Sequence, residues 1–340
     1  ESGGLRLEGA RINIPRPERG SGSRQGQYPP WVFQLGAADV ALQNCSISLP
    51  MYDTEELSGI IRWPEDQSEL DGRDFSTGRP GRYRNTLLIT DSWMTGEGVL
   101  LNAHLHRRAI VVRNSVLCPL RDLLQLDISG AEGEPDSAVD IDHSTLATPN
   151  TVFQINSITR NRRTVRPLRL FVQSTIFATP PDPGEQIESE SISLKFEGNV
   201  LEQSQAVWFG SRNGWMLPSI KVLMRGPGML PVNSPDFTRD WLSRWEAGHT
   251  LQPLYRSGDV VLANPMGLPH RNSLKPDSYT LAGQCSAAGW SVTGEPIGAD
   301  VAQLNRQLEG KPSAGKKSQD RKKGKTKLPS APRKSSTPGF

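Results

Sequence analysis

The sequence predicts an all-β chain, a right-handed parallel β-helix built as a solenoid of stacked coils. Three observations predict it. A short strand-and-corner motif keeps returning, the stretches between copies are too short for anything but one or two more strands, and the composition favours turns. The 340 residues include 32 Gly and 27 Pro, which exceeds average usage and argues for many bends over long helices. A hydrophobic share of 35% is enough for a folded body with much loop.

The motif is apolar-x-apolar-x-corner-small-x-apolar. It reads LRLEGARI at 5–12, VALQNCSI at 40–47, LLITDSWM at 87–94, IVVRNSVL at 110–117, VDIDHSTL at 139–146 and LKFEGNVL at 194–201. RLFVQSTIF at 169–177 fits with a one-residue slip, which calls for a bulge. The corner position is then Gly9, Asn44, Asp91, Asn114, His143, Gln173 and Gly198, at steps of 23 to 47 residues. Recurrence in this range marks a repeat architecture. Asn, Asp, His and Gln tolerate tight bends and bond to nearby backbone, and Gly does so by reaching positive φ. Stacked, they make a ladder along one corner, with Cys45, Ser92, Ser115 and Ser144 filling the narrow space behind it.

Between copies stand WVFQLG (31–36), VLLNAHL (99–105), LLQLDI (123–128), TVFQIN (151–156) and AVWFG (206–210). No interval carries an amphipathic period of 3.6, which argues against leucine-rich, ankyrin-type and βαβ repeats. A propeller blade needs four strands in about 40–45 residues. Two or three strands per coil fit a solenoid whose coils bury their apolar side only by stacking.

The solenoid is expected over 1–309, with an inserted loop at about 50–85, which holds a strand at Gly59–Trp63, and a closing segment at about 225–305. Ser234-Pro235-Asp236 has the form of a helix start, and Phe237, Trp241 and Trp245 follow at helical spacing, so a short capping helix is expected over 234–247. Residues 310–340 lack apolar periodicity and are expected to be a disordered tail. From 311 on they hold ten Lys/Arg against the single acid Asp320, a net +9 that leaves the rest of the chain at −6. Such a tail suits a polyanion, whether nucleic acid, anionic lipid or acidic glycan, or it serves only solubility. Without interleaved aromatics it does not point to specific nucleic-acid recognition.

The coils from Leu5 to Phe209 resemble the pectin-lyase-like parallel β-helix proteins, and more narrowly the β-helix regions of large multidomain bacterial proteins, some with a protein-kinase domain upstream. The stretch LKPDSYTLAGQCSAAGWSVTGEPIGADV at 274–301 resembles the closing coil of such regions. No Gly-rich loop, HRD or DFG stands in this chain. The resemblance implies a fold. It also implies that an enzyme of this kind would act on acidic polysaccharide, either by a carboxylate pair or by carboxylates holding Ca²⁺ beside a base.

On the ladder strands alternate residues point outward. This puts Gln43, Thr90, Arg113, Asp142 and Glu197 in one outward column and Ala41, Leu88, Val111, Asp140 and Lys195 in the next. Asp140, Asp142 and Arg113 are the catalytic candidates, although Arg113 and Asp142 on adjacent rungs also make an ordinary surface ion pair. Asp127, Gln125, Lys195 and Glu197 are the ligand-binding candidates. His143 reads as a member of the corner ladder. His104 and His106, two apart at a strand end, have the spacing of a metal pair, but no third ligand is evident and no metal site is expected.

Cys45, Cys118 and Cys285 are odd in number and far apart, which excludes a disulfide scaffold and a Cys-type zinc site. No cofactor is expected, save Ca²⁺ if the chain is a lyase. No apolar run of about 18 residues exists, so no membrane span is expected. The chain starts at Glu1 and is expected to be a piece or processed form of something longer. The leading expectation is a non-catalytic binding or scaffold region working outside the cytoplasm on an extended ligand, a glycan or a protein strand. The alternative is a polysaccharide lyase or glycoside hydrolase.

Overall fold

A computed structural model describes residues 4–14, 31–36, 38–49, 58–65, 85–96, 98–119, 121–128, 137–148, 151–157, 168–178, 194–197, 206–216, 222–225, 263, 275–289, 291 and 294–309. The predicted helix at 234–247, most of the 50–85 insertion and the basic tail lie outside these residues.

Among the described residues, twenty-one strands alternate among three all-parallel sheets of seven strands each. Sheet A takes β1 (Leu5–Glu8), β4 (Val40–Gln43), β7 (Asn85–Thr90), β10 (Arg108–Arg113), β13 (Ala138–Asp142), β16 (Leu168–Gln173) and β19 (Ala206–Ser211). Sheet B takes β2 (Arg11–Asn13), β5 (Ser46–Ser48), β8 (Trp93–Gly96), β11 (Val116–Pro119), β14 (Thr145–Ala147), β17 (Ile176–Ala178) and β20 (Gly214–Met216). Sheet C takes β3 (Trp31–Gln34), β6 (Gly59–Trp63), β9 (Val99–Leu105), β12 (Leu124–Ile128), β15 (Phe153–Ser157), β18 (Leu194–Glu197) and β21 (Val222–Arg225). Each strand pairs with the strand three places along the chain, so every three strands make one coil of a three-sided β-solenoid. Gly59–Trp63, expected inside an insertion, is the sheet C strand of the second coil.

The period-2 alternation sets which side chains fill the interior. Leu42, Ile89, Val112, Ile141 and Val172 form one buried column of sheet A, and Ile47, Met94, Leu117, Leu146 and Phe177 one of sheet B. In the later coils aromatics take over. Phe177 stacks on Trp215 at 4.0 Å, and Phe153 meets Trp208 edge-on at 5.4 Å.

The corner between sheets A and B is where the motif sits. Asn44, Asp91, Asn114 and His143 all have positive φ, between 41° and 54°, and Gly9 has 68°. The next residue turns its polar group inward and bonds across coils. The Cys45 amide donates to Ser92 Oγ at 3.1 Å, the Ser92 amide to Ser115 Oγ at 3.1 Å and the Ser115 amide to Ser144 Oγ at 3.3 Å. Thr175 and Asn213 continue the column, the Thr175 amide donating to Asn213 Oδ1 at 3.1 Å. These residues are fully buried and each finds a partner, as a buried polar group must.

Two expectations about the later coils are corrected. The copy at 169–177 has no bulge: Asp142 pairs with Gln173 in unbroken register, and Ser174 (φ 48°), not Gln173, takes the corner. LKFE at 194–197 belongs to sheet C, opposite Phe153–Asn156, while AVWFGS at 206–211 is the ladder strand, with Arg212 (φ 54°) at its corner. Outward alternation alone does not tell one sheet from another, and Arg212 lies outside the residue types that favour a left-handed bend.

The segment expected to close the solenoid as a last coil does something else. From Lys275 it runs along the outside of sheet B. Tyr279, Ala287, Ile297, Val301 and Leu304 cover Trp93, Val116, Cys118, Ile176 and Ala178, so strands β8, β11 and β17 of this sheet carry apolar residues on both faces. Gly298, Ala299 and Asp300 step across successive corners. Their amides donate to the Ser174 carbonyl at 2.7 Å, Thr145 Oγ1 at 3.2 Å and Asn114 Oδ1 at 2.6 Å. Asp300 then caps helix α1 (Val301–Leu308), accepting from the Gln303 amide at 2.9 Å. Among the described residues no helix is long and apolar enough to cross a membrane.

Candidate functional site

Since sheet B is covered, the outward faces of sheets A and C are where the described chemistry meets solvent. On sheet A the register is Gln43, Thr90, Arg113, Asp142, Gln173, Ser211 in one column and Ala41, Leu88, Val111, Asp140, Phe171, Phe209 in the next. Lys195 and Glu197, expected in these columns, are on sheet C instead.

Arg113 does not pair with Asp142. It forks onto Asp140 with Nη1 at 2.9 Å from Oδ1 and Nη2 at 2.5 Å from Oδ2. Although Asp142 lies directly opposite Arg113 in register, its carboxylate turns to the His143 ring, 2.7 Å from Nδ1. The two catalytic carboxylate candidates therefore share one face, and each is engaged by a different neighbour. Both pairs are partly exposed, which limits each to about 1 kcal/mol or less. On the next two coils, Phe171 and Phe209 stack at 4.9 Å with 11° between their planes and stand exposed. Sequence reasoning missed this pair because the ladder strand at 206–211 had been assigned to another sheet.

Sheet C is lined differently. Asn102, Gln125, Gln154 and Lys195 occupy one register column, and His104, Asp127, Asn156 and Glu197 the next. The four ligand-binding candidates thus fall on one sheet, away from Asp140 and Asp142. Side-chain amides link the rungs: Asn102 Nδ2 donates to Gln125 Oε1 at 3.1 Å and Asn156 Nδ2 to Asp127 Oδ1 at 2.9 Å. Gln125 Nε2 donates to Asp122 Oδ2 at 2.7 Å, and Gln154 Nε2 to Asn156 Oδ1 at 3.4 Å. These side chains are half-buried. A carboxamide has two N–H groups and an oxygen with two lone pairs, so one bonded once at each end keeps a donor and an acceptor site for a ligand. Asn102, Gln154 and Asn156 were missed as site residues. Their signal was the alternation of LLNAHL, LQLDI and FQIN, which leaves two polar residues per rung at the same places.

His104 ends this row and His106 stands beyond it. His104 is buried, with Nδ1 3.6 Å from Glu65 Oε2. Burial holds its imidazole below the usual pKa, with Glu65 opposing. Its carbonyl accepts from Arg108 Nη1 at 2.8 Å. Arg108 is itself fully buried, also donates to the Pro64 carbonyl at 2.8 Å, and lies 4.7 Å from the centre of the Trp63 ring. This cation over an indole ties β6 to the start of β10. Among the described residues no three His, Cys, Asp or Glu side chains converge on a point that would hold a metal ion.

Comparison of the chain with protein-family models, with curated proteins and with solved structures finds no match.

Proposed function

We propose that the chain is a non-catalytic binding region that holds an extended, hydroxyl-rich ligand, a glycan, along the outward face of sheet C. On this reading it is a right-handed β-helix of the pectin-lyase-like kind, part of a larger bacterial protein that works outside the cytoplasm. The observation that carries the proposal is the amide row of Asn102, Gln125 and Gln154 with Asp127 and Asn156 beside it. Successive rungs of a sheet lie about 4.8 Å apart, so the row offers a polar group at regular intervals to a chain of sugars. A protein strand is the poorer fit, because strand addition uses the backbone groups of a sheet edge and this row lies on a face. Against catalysis stands the engagement of both candidate carboxylates, Asp140 by Arg113 and Asp142 by His143.

The test is to incubate the protein with uronate-containing and neutral polysaccharides, with and without Ca²⁺, and to follow retention on each polymer together with new reducing ends and unsaturated uronate. Retention without product is expected. Product that disappears in Asp142→Ala would establish the lyase or hydrolase alternative and overturn the proposal.

A further inference from the structure

The acids set into the sheet C row bear on which glycans it takes, a question that rests on the binding proposed above. The carboxamides of Asn102, Gln125 and Gln154 can both donate and accept, whereas an ionised carboxylate only accepts. Gln125 stands between two carboxylates. Its Nε2 donates to Asp122 Oδ2 at 2.7 Å, and Asp127 follows it on the outward face of β12. Asp122 Oδ1 also accepts the Thr151 amide at 3.3 Å, and Asp127 Oδ1 accepts Asn156 Nδ2 at 2.9 Å. A carboxylate has about four acceptor sites, so both acids keep lone pairs that only a donor can meet.

The cations of the row stand at its two ends. Arg62 is in register with Asn102, and Lys195 with Gln154. Each position is thus two rungs, about 10 Å, from Gln125, a distance at which salt screens exposed charges. Each also has an acid close along the chain. Glu65 follows Arg62 and comes within 3.6 Å of His104 Nδ1, and Glu197 follows Lys195 two residues on. Between these ends, among the described residues, the two columns hold Asn102, Gln125, Gln154, His104, Asp127 and Asn156, with no Lys or Arg. Burial keeps the His104 ring neutral near pH 7. Arg107 and Arg121 belong to the corners that bound the sheet, outside both columns.

This pattern tells apart the groups a sugar can present. A uronate carboxylate satisfies amide N–H groups but sets a like charge against Asp122 and Asp127. An ammonium group satisfies the acids but leaves the spare amide N–H groups without an acceptor. A hydroxyl donates and accepts, so it alone matches both members of the row. We infer that the outward face of sheet C selects neutral glycans over uronate-containing ones, with Asp122 and Asp127 setting the preference. This is the reverse of the acidic substrates that the resemblance to pectin-lyase-like proteins implies.

The test compares a panel of uronate polymers of different linkage with the carboxyl-reduced form of each, which keeps the backbone and replaces every carboxylate by a hydroxymethyl group. Retention of the full chain is measured at physiological salt. The parent should bind at least one reduced polymer about 10-fold or more tightly than its acidic form, since each unfavourable charge contact costs about 3- to 5-fold. Asp127→Asn keeps an acceptor for Asn156 and should narrow that ratio about 3- to 5-fold. Asp127→Lys should narrow it further, and far-ultraviolet circular dichroism checks that the coils remain in both. Equal or tighter binding of the acidic form by the parent would overturn the selectivity while leaving glycan binding intact, as would a ratio that neither variant moves. A parent retained by no polymer of either form would overturn the binding reading and the selectivity with it.

Discussion

Ser115 lies fully buried behind the corner that Asn114 forms, donating to the Arg113 carbonyl at 2.7 Å and accepting the Ser92 amide at 3.1 Å. Ser115→Ala strands that amide in the interior and should lower unfolding stability by about 1–3 kcal/mol in a urea titration. Ser115→Cys should cost less, since Cys45 already fills the equivalent place and its Sγ contacts the Gln43 carbonyl at 3.3 Å. This much of the residue scale is legible in the sequence: a small residue after each corner reads as an inward one, because a corner leaves room for little else. The bonds between coils are not legible, for they depend on which coil lies above. The same limit produced the error over Arg113. Sequence spacing names Asp142 as its neighbour, while the carboxylate it meets is Asp140, because Asp142 has His143 beside it.

At the scale of elements, the strap over sheet B governs. Leu304 of α1 is fully buried against the sheet, and Leu304→Ala should cost about 2–5 kcal/mol. Gly298 has φ +82°, and a Cβ there would come within 2.5 Å of Ile176 Cδ1. Gly298→Ala should therefore loosen the latch rather than the coils. We expect increased binding of a hydrophobic dye, as Trp93, Val116 and Ile176 become accessible, with little change in far-ultraviolet circular dichroism. An unchanged dye signal would mean that the strap is held from elsewhere. Sequence reading took this stretch for a closing coil from its resemblance to the closing coils of β-helix regions. What separates it is that the sheet B strands beneath it are apolar at both alternate positions, as in Val116-Leu117-Cys118 and Ile176-Phe177-Ala178. A strand apolar on both sides needs a cover as well as a core.

For the whole molecule, buried titratable groups confine stability to a window of pH. Burial pushes the Cys118 thiol up to about 12 from an ordinary 9.0, and burial moves the Tyr279 phenol in the same direction. The folded state keeps these protons while the unfolded chain loses them, so stability is intact below pH 9.0 and falls as pH rises towards about 12. His104 acts at the other end. Its depressed pKa favours the neutral ring in the folded state, so its contribution is present above the ordinary 6.5 and is lost as pH falls. Melting temperature should therefore be flat near neutrality and decline on both sides. Cys118→Ser should reduce the alkaline decline, and an alkaline limb of undiminished steepness would contradict the assignment. The solenoid itself was legible because every coil repeats one demand, an apolar pair, a bend and a small residue. The candidate site was not, because a row of amides carries no motif, and only stacking brings Asn102, Gln125 and Gln154 together.

The central claim is that this row holds the ligand, and the most direct test is calorimetric titration of a retained oligosaccharide into four proteins. Against the parent, Gln125→Ala and Gln154→Ala should each weaken affinity about 5- to 10-fold, the loss of roughly one hydrogen bond of 1–1.5 kcal/mol. Arg113→Ala on sheet A should leave affinity unchanged. Binding lost in Arg113→Ala and retained in both amide variants would contradict the account.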